Sequence, residues 1–255
     1  MLLAIDIGNT NIVIGLFEGK RLKDHFRMQS RHTMTSDEAG LLITQWISNM
    51  KCKNEDVDSA IICSVVPQLT TTFEIVARSY LGCIPTIVSN RLDLPVSIEI
   101  DQPDQIGADR IANAVAGYKK FGGPLIIVDF GTATTFDVVN KDGAYIGGII
   151  IPGPETSMGE LAKKAARLFE VRIEPPDSVV GKSTAGALKS GLFYGTVGQV
   201  DFIIEKILAE TLFENTTIIA TGGLAKGIET YSRHINLIEP TLTLEGLRMI
   251  EEINR

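Results

Sequence analysis

Two stretches carry most of the chemistry that can be read from the chain. Leu125 to Val139, LIIVDFGTATTFDVV, runs four apolar residues into Asp129-Phe130-Gly131, then Thr132, Thr134 and Thr135, and turns apolar again. That pattern reads as a strand, a tight turn and a second strand, so the turn offers a carboxylate and three hydroxyls at a strand end. The opening LLAIDIGNTNIVIGLF overlies it at an offset of about 123 residues. Leu2, Ile5, Asp6 and Gly8 match Leu125, Val128, Asp129 and Gly131, Asn9 stands over Thr132, and Glu18-Gly19-Lys20 lies over Lys141-Asp142-Gly143 as a second hairpin turn. One Asp-x-Gly after a strand is an ordinary turn. Two copies in matching contexts suit a nucleotide site between two related domains, where glycine lets backbone N–H groups approach phosphate and hydroxyls donate to it. Asp6 and Asp129 would then hold a cation, since carboxylate and phosphate repel, and Mg²⁺ commonly takes one or two carboxylates with phosphate and water.

Gly107-Ala108-Asp109-Arg110 opens a predicted helix. Asp109 there is either a cap that complements the helix dipole or a general base, and the pattern leaves both open. Arg110 can fork onto a carboxylate or phosphate, so the pair suits a small acidic substrate that carries a hydroxyl. Gly181-Lys182-Ser183 resembles the tail of a phosphate-binding P-loop, but Pro176 stands where its first glycine is required. No G-x-G-x-x-G dinucleotide motif is present. His25, His32 and His234 lie among charged and polar residues without a zinc or nucleophile motif and read as surface histidines. Thr221-Gly222-Gly223 after a strand is a place where backbone can approach a flat ring or a phosphate; a plain turn explains it equally well.

These groups need elements to position them. Arg21 to Gln29 alternates as a half-exposed strand. Thr35-x-x-Glu38 is a capping box before a helix with Trp46 on its apolar, core-facing side. A strand over 57–66, a helix over 68–81 and a Pro-containing acidic loop over 94–105 follow. Gly122-Gly123-Pro124 ends the helix that Asp109 opens, which sets a domain boundary between residues 1–121 and 122–255. The second half repeats the order, with a helix announced by the capping box Ser157-x-x-Glu160 and carrying Phe169 inward, a helix near Val200, a strand over 216–220 and a closing helix over 244–253.

Composition bounds the partners. The 255 residues are 44% hydrophobic and 22% charged with a net charge of -7, which argues against nucleic acid because phosphate neutralisation needs clustered Lys and Arg. Cys52, Cys63 and Cys83 form no CxxC and leave one unpaired, as expected in a reducing compartment, and the expected location is the cytoplasm. The apolar start lacks a basic region and carries Asp6, so no signal peptide is expected, and no apolar run approaches the roughly 18 residues of a membrane span.

D-I-G-N-T at Asp6 to Thr10, G-A-D-R at Gly107 to Arg110, D-F-G-T-A-T-T at Asp129 to Thr135, G-G-x-I-x-P-G ending at Gly153 and the late T-G-G together resemble type III pantothenate kinase over essentially the whole chain. The first motif alone is shared by the wider acetate kinase, sugar kinase, Hsp70 and actin superfamily. The resemblance implies an α/β fold of two ribonuclease-H-like domains, with the nucleotide site in the cleft between them, and ATP-dependent phosphorylation of pantothenate. Carried over by position, Asp6, Ile7, Gly8, Asn9, Thr10, Asn11, Ile12 and Val13 form the first phosphate loop and Thr132 contacts ATP. Asp129 binds a monovalent cation, potassium or ammonium, beside the Mg²⁺ of ATP. Gly107, Ala108, Asp109 and Arg110 hold pantothenate, with Asp109 as proton acceptor. Ile100 stands where the family often has an aromatic, and Thr184 is a further substrate contact supplied by the neighbouring subunit of a homodimer with its active site at the subunit interface. Because phosphoryl transfer passes through a loose transition state, Asp109 is expected to work without a raised pKa. Another small-molecule kinase of the superfamily, such as a sugar kinase, and a nucleotide-binding regulator without turnover are the alternative readings.

Overall fold

The chain begins with an apolar run, and in the computed structural model, which describes residues 1–255, that run becomes the central strand of a sheet. β1 (Leu2–Ile7), β2 (Asn11–Glu18) and β3 (Arg21–Gln29) form an antiparallel meander. After α1 (Ser36–Asn49) come β4 (Ser59–Ser64), α2 (Pro67–Tyr80) and β5 (Thr86–Ile87), with β4 parallel to both β1 and β5. The sheet order is β3-β2-β1-β4-β5. β6 (Ser97–Ile98) and α3 (Ala108–Phe121) follow.

Both faces of β1 are buried, which is why it reads as a continuous apolar run and not an alternating one. Leu3, Ile5 and Ile7 pack with Ile43 and Ile47 of α1 and Phe73 and Val76 of α2. Leu2 and Ala4 point the other way, to Ile111, Ala112 and Val115 of α3 and to Leu244, Leu247 and Ile250 of α7 (Leu242–Asn254), the last helix of the chain.

Residues 120–240 form a second compact unit. β7 (Leu125–Phe130), β8 (Ala133–Val139) and β9 (Ala144–Pro152) repeat the meander, followed by α4 (Pro154–Lys164), α5 (Thr184–Thr211), β10 (Thr217–Gly222), α6 (Ala225–Glu229) and β11 (Leu237–Ile238). β10 is parallel to β7 and β11, in the order β11-β10-β7-β8-β9. β1 and β7 have the same burial pattern along their lengths, so the sequence repeat is a structural one. One face of this sheet is covered by α5 through Phe193, Val197, Val200, Ile204 and Ile207.

Several expectations change. The closing helix, assigned to the second domain, belongs to the first unit, which comprises residues 1–119 and 241–255. Periodicity shows that a helix has an apolar face but not which sheet that face covers. The capping box at Ser157 does not form: Pro154, with φ already fixed and no N–H to lose, starts α4 three residues earlier and leaves Ser157 inside it. That helix stops at Lys164, and Phe169 is 51% exposed instead of inward. Trp46 is half-buried at the edge of the core, where its ring packs on Phe26 and its Nε1 donates to Asp24 Oδ2 at 3.0 Å. The Thr35–Glu38 capping box forms as expected. No helix is long and apolar enough to cross a membrane.

Candidate active site

Strand alternation places the first carboxylate. Ile5 and Ile7 enter the core under α1 and α2, so Asp6 emerges on the opposite face at the C-terminal end of β1, half-buried and in register with Val13 and Cys63. The turn that follows is held by three hydrogen bonds within the same unit. Gly8 N donates to Asn11 O at 3.0 Å, Ser30 N donates to Thr10 O at 2.9 Å, and Ser30 Oγ donates to Gly8 O at 2.5 Å. Asn9 and Thr10 are exposed, whereas the Ile7 and Ile12 side chains are fully buried, so these two can serve a ligand only through the main chain.

The second turn is built the same way. Asp129 is half-buried at the end of β7, in register with Thr135 and Thr221. Gly131 N donates to Ala133 O at 3.1 Å, while Thr132 O accepts from Gly153 N at 3.0 Å and from Thr156 Oγ1 at 2.6 Å. Thr132 is exposed. Thr134 is not one of the presented hydroxyls: alternation along β8 sends it inward with Phe136 and Val138, and its Oγ1 is buried without a hydrogen-bond partner. Gly222 explains the T-G-G motif. Its φ is +87°, and a Cβ there would lie 2.4 Å from Phe130 O and 2.7 Å from Asp129 Oδ1, so the strand-end glycine is the space that the Asp129 carboxylate uses.

Each turn brings one strand-end carboxylate, and no group of three or more His, Cys, Asp or Glu is assembled as a metal cluster. Such a donor set fits a cation that completes its shell with carbonyls, water and substrate phosphate, as Mg²⁺ and monovalent ions do.

Asp109 lies in the first turn of α3. Its Oδ1 accepts from Arg110 N at 2.8 Å and bends back over Gly107, where an added Cβ would stand only 2.4 Å away. Gly107 O accepts from Ile111 N, so the G-A-D-R run is a helix start. Burial pushes the Asp109 carboxyl above its ordinary value, outweighing the Arg110 N–H and guanidinium, which pull it down. The sequence gives no reason to expect that shift, because burial arises from packing: Ala108 and Val13, the cross-strand neighbour of Asp6, share one apolar cluster. Ile100 is half-buried in the loop between β6 and a single 3-10 turn, Pro103–Gln105. Thr184 is the exposed first residue of α5, capped by Ser183, which accepts from Gly186 N at 3.1 Å.

Sequence reasoning missed Ser30, Thr156 and a cavity of about 240 Å³ in the second unit, lined by Ile173, Pro175, Phe193, Gly223, Leu224 and Ile228. Ser30 could have been found from the repeat, for it stands over Gly153 at the same offset. The cavity joins residues far apart in the chain and has no local signal.

A strand-end carboxylate with a glycine turn, built twice, and a carboxylate at a helix start fit an ATP-dependent phosphotransferase, the class that the chain's relatives define. Its α/β fold is shared by a solved putative 2-dehydro-3-deoxygalactonokinase from Sinorhizobium meliloti, with a TM-score of 0.57 at 13% identity over 99% of this chain and 96% of its own. The chain belongs to the type III pantothenate kinase family, whose profile matches residues 2–206. A type III pantothenate kinase of Anaeromyxobacter dehalogenans is 44% identical over 100% of both chains, and one of Agathobacter rectalis is 40% identical over 98% of this chain and 96% of its own. A solved structure from Campylobacter jejuni, assigned to the Baf family of transcriptional activators, has a TM-score of 0.60 at 21% identity over 98% of this chain and 97% of its own, and shares the fold. The enzyme phosphorylates pantothenate with ATP, the entry step of coenzyme A biosynthesis.

Proposed function

We propose that Asp109 is the group that accepts the proton from the primary hydroxyl of pantothenate as that oxygen attacks the γ-phosphoryl group of ATP. The observation that carries this is a partly buried carboxylate at the N-terminal turn of α3 whose burial raises its proton affinity. Phosphoryl transfer asks little of a base beyond taking the proton late, so positioning and charge neutralisation do most of the work. Arg110 pairs with the pantothenate carboxylate, and Gly107, Ala108 and Ile100 complete that subsite.

Asp6 to Val13 and Thr132 bind the nucleotide, chiefly through the main chain at Ile7 and Ile12. The apolar cavity at Gly223 and Phe193 accepts the adenine ring, since ligand pockets are mostly apolar concavities with few polar groups. Asp129 holds a monovalent cation, and Asp6 lies on the Mg²⁺ side of the phosphates; bound there, these ions offset the charge that builds up on the transferring group. Each unit has the meander followed by parallel strands that a ribonuclease-H-like domain requires.

Thr184 serves the site of the partner subunit in a homodimer. Val179 and Val180 just before it are 66% and 77% exposed, and apolar side chains of that size call for cover. The test is turnover of ATP with and without pantothenate while potassium is varied. Wild type should respond to potassium, and Asp129→Asn should flatten that response and weaken ATP use; an unchanged potassium curve would remove Asp129 from the cation site.

A further inference from the structure

We propose that Ser30 and Thr156 are hydroxyl latches, one for each phosphate turn, that aim those turns, and so are positioning residues for ATP. The proposal rests on the reading of these turns as the phosphate contacts. In a trans peptide the C=O and the following N–H point in opposite directions. A hydroxyl that holds the Gly8 carbonyl at 2.5 Å therefore fixes the direction of the Asn9 N–H. The hydroxyl of Thr156, holding the Thr132 carbonyl at 2.6 Å together with Gly153 N at 3.0 Å, does the same for the Ala133 N–H. Each latch also keeps a carbonyl dipole, which would repel phosphate, turned toward protein donors.

The two latches come from different residue positions, which is informative. Ser30 and Gly153 occupy equivalent places after the third strand of each meander, and both donate their N–H to a turn carbonyl. Ser30 also brings its own hydroxyl. Gly153 cannot carry a side chain, because a Cβ there would stand 2.3 Å from Gly131 O and 2.6 Å from Thr132 O. The hydroxyl arrives instead from Thr156, in the first turns of α4. A hydroxyl bond to a turn carbonyl is thus present in both turns, on Gly8 O in the first and on Thr132 O, which lies over Asn9, in the second, and in each it orients one peptide of the turn.

The test uses the full-length enzyme with Ser30→Ala, Thr156→Val and Thr156→Ser, and Thr132→Val as the direct-contact control. KM for ATP and for pantothenate, kcat and the melting temperature are measured for each. Ser30→Ala and Thr156→Val should each raise KM for ATP about three- to tenfold, the loss of one hydrogen bond. KM for pantothenate and the melting temperature should stay close to wild type, and Thr156→Ser should restore KM for ATP. If both KM values rise together with a fall in melting temperature, and Thr156→Ser does not rescue, the hydroxyls are merely structural and the proposal is overturned. If Thr132→Val raises KM for ATP while neither latch variant does, the latches alone are wrong. If none of these variants moves it, the phosphate reading of the turns falls and the latches with it.

Discussion

Asp109 is partly buried, where its neutral form is favoured, yet a base can take a proton only as a carboxylate. The consequence for stability has a definite sign. The folded-state value is raised above the ordinary 3.8, so the folded protein holds this proton more tightly than the unfolded chain does. Ionised Asp109 therefore destabilises the fold at every pH above the raised value, and that cost fades as pH falls through it and is gone below the unfolded value. Asp109→Asn should melt higher than wild type at neutral pH, with the advantage shrinking to nothing in acid. The same variant should lose turnover by about a hundredfold or more, the scale of a removed general base. A variant that keeps near-normal kcat would make Asp109 a helix-start residue only; one that melts no higher at pH 7 would contradict the burial argument. Both roles were visible in G-A-D-R as a pair of alternatives. What separates them, the burial of the carboxylate, depends on residues far away in the chain and could not be read locally.

The helix that carries Asp109 is held from behind by another helix. A Cβ at Gly246 of α7 would lie 2.0 Å from Ala112 O of α3, so the two backbones touch at a point where only glycine fits. Gly246→Ala should push α3 off its seat and cost about 1–3 kcal/mol, read as a lower denaturation midpoint together with reduced kcat. Gly191→Ala in α5, with nothing within 4 Å of the added carbon, should be neutral or slightly stabilising. A Gly246→Ala protein as stable as wild type would mean the helices adjust freely. Elements of this kind were legible wherever a local rule decided them, as in the apolar runs of β1 and β7 and the Thr35–Glu38 box. They were missed where two local rules competed, as at α4, where Pro154 prevails over Ser157. They were also missed where the answer lay in tertiary pairing, as with the two-residue strands β6 and β11.

At the scale of the whole molecule, the proposed sharing of the site between subunits would make activity a property of the assembly. Asp109→Asn chains and Thr184→Val chains, each nearly inactive alone, should regain about a quarter of wild-type activity when mixed equally and allowed to exchange, because half of randomly paired dimers are mixed and each mixed dimer has one site with neither defect. No recovery despite verified exchange would assign both residues to the same chain's site. The chain path has a further consequence. The second unit is an insertion in the first, and its two ends meet: Lys120 Nζ and Glu239 Oε2 form an ion pair at 2.5 Å, while within the first unit Thr243 Oγ1 donates to Asn113 Oδ1 at 2.8 Å. On a ribosome, where residues leave in order, the insertion has all of its strands and helices before residues 242–254 exist. Until then the sheet begun at Leu2 waits with Leu2, Ala4 and Ile61 lacking the cover of Leu244, Leu247 and Ile250. The unit begun first is therefore the last to be finished, and its half-built apolar face is what a nascent chain must shield from its neighbours.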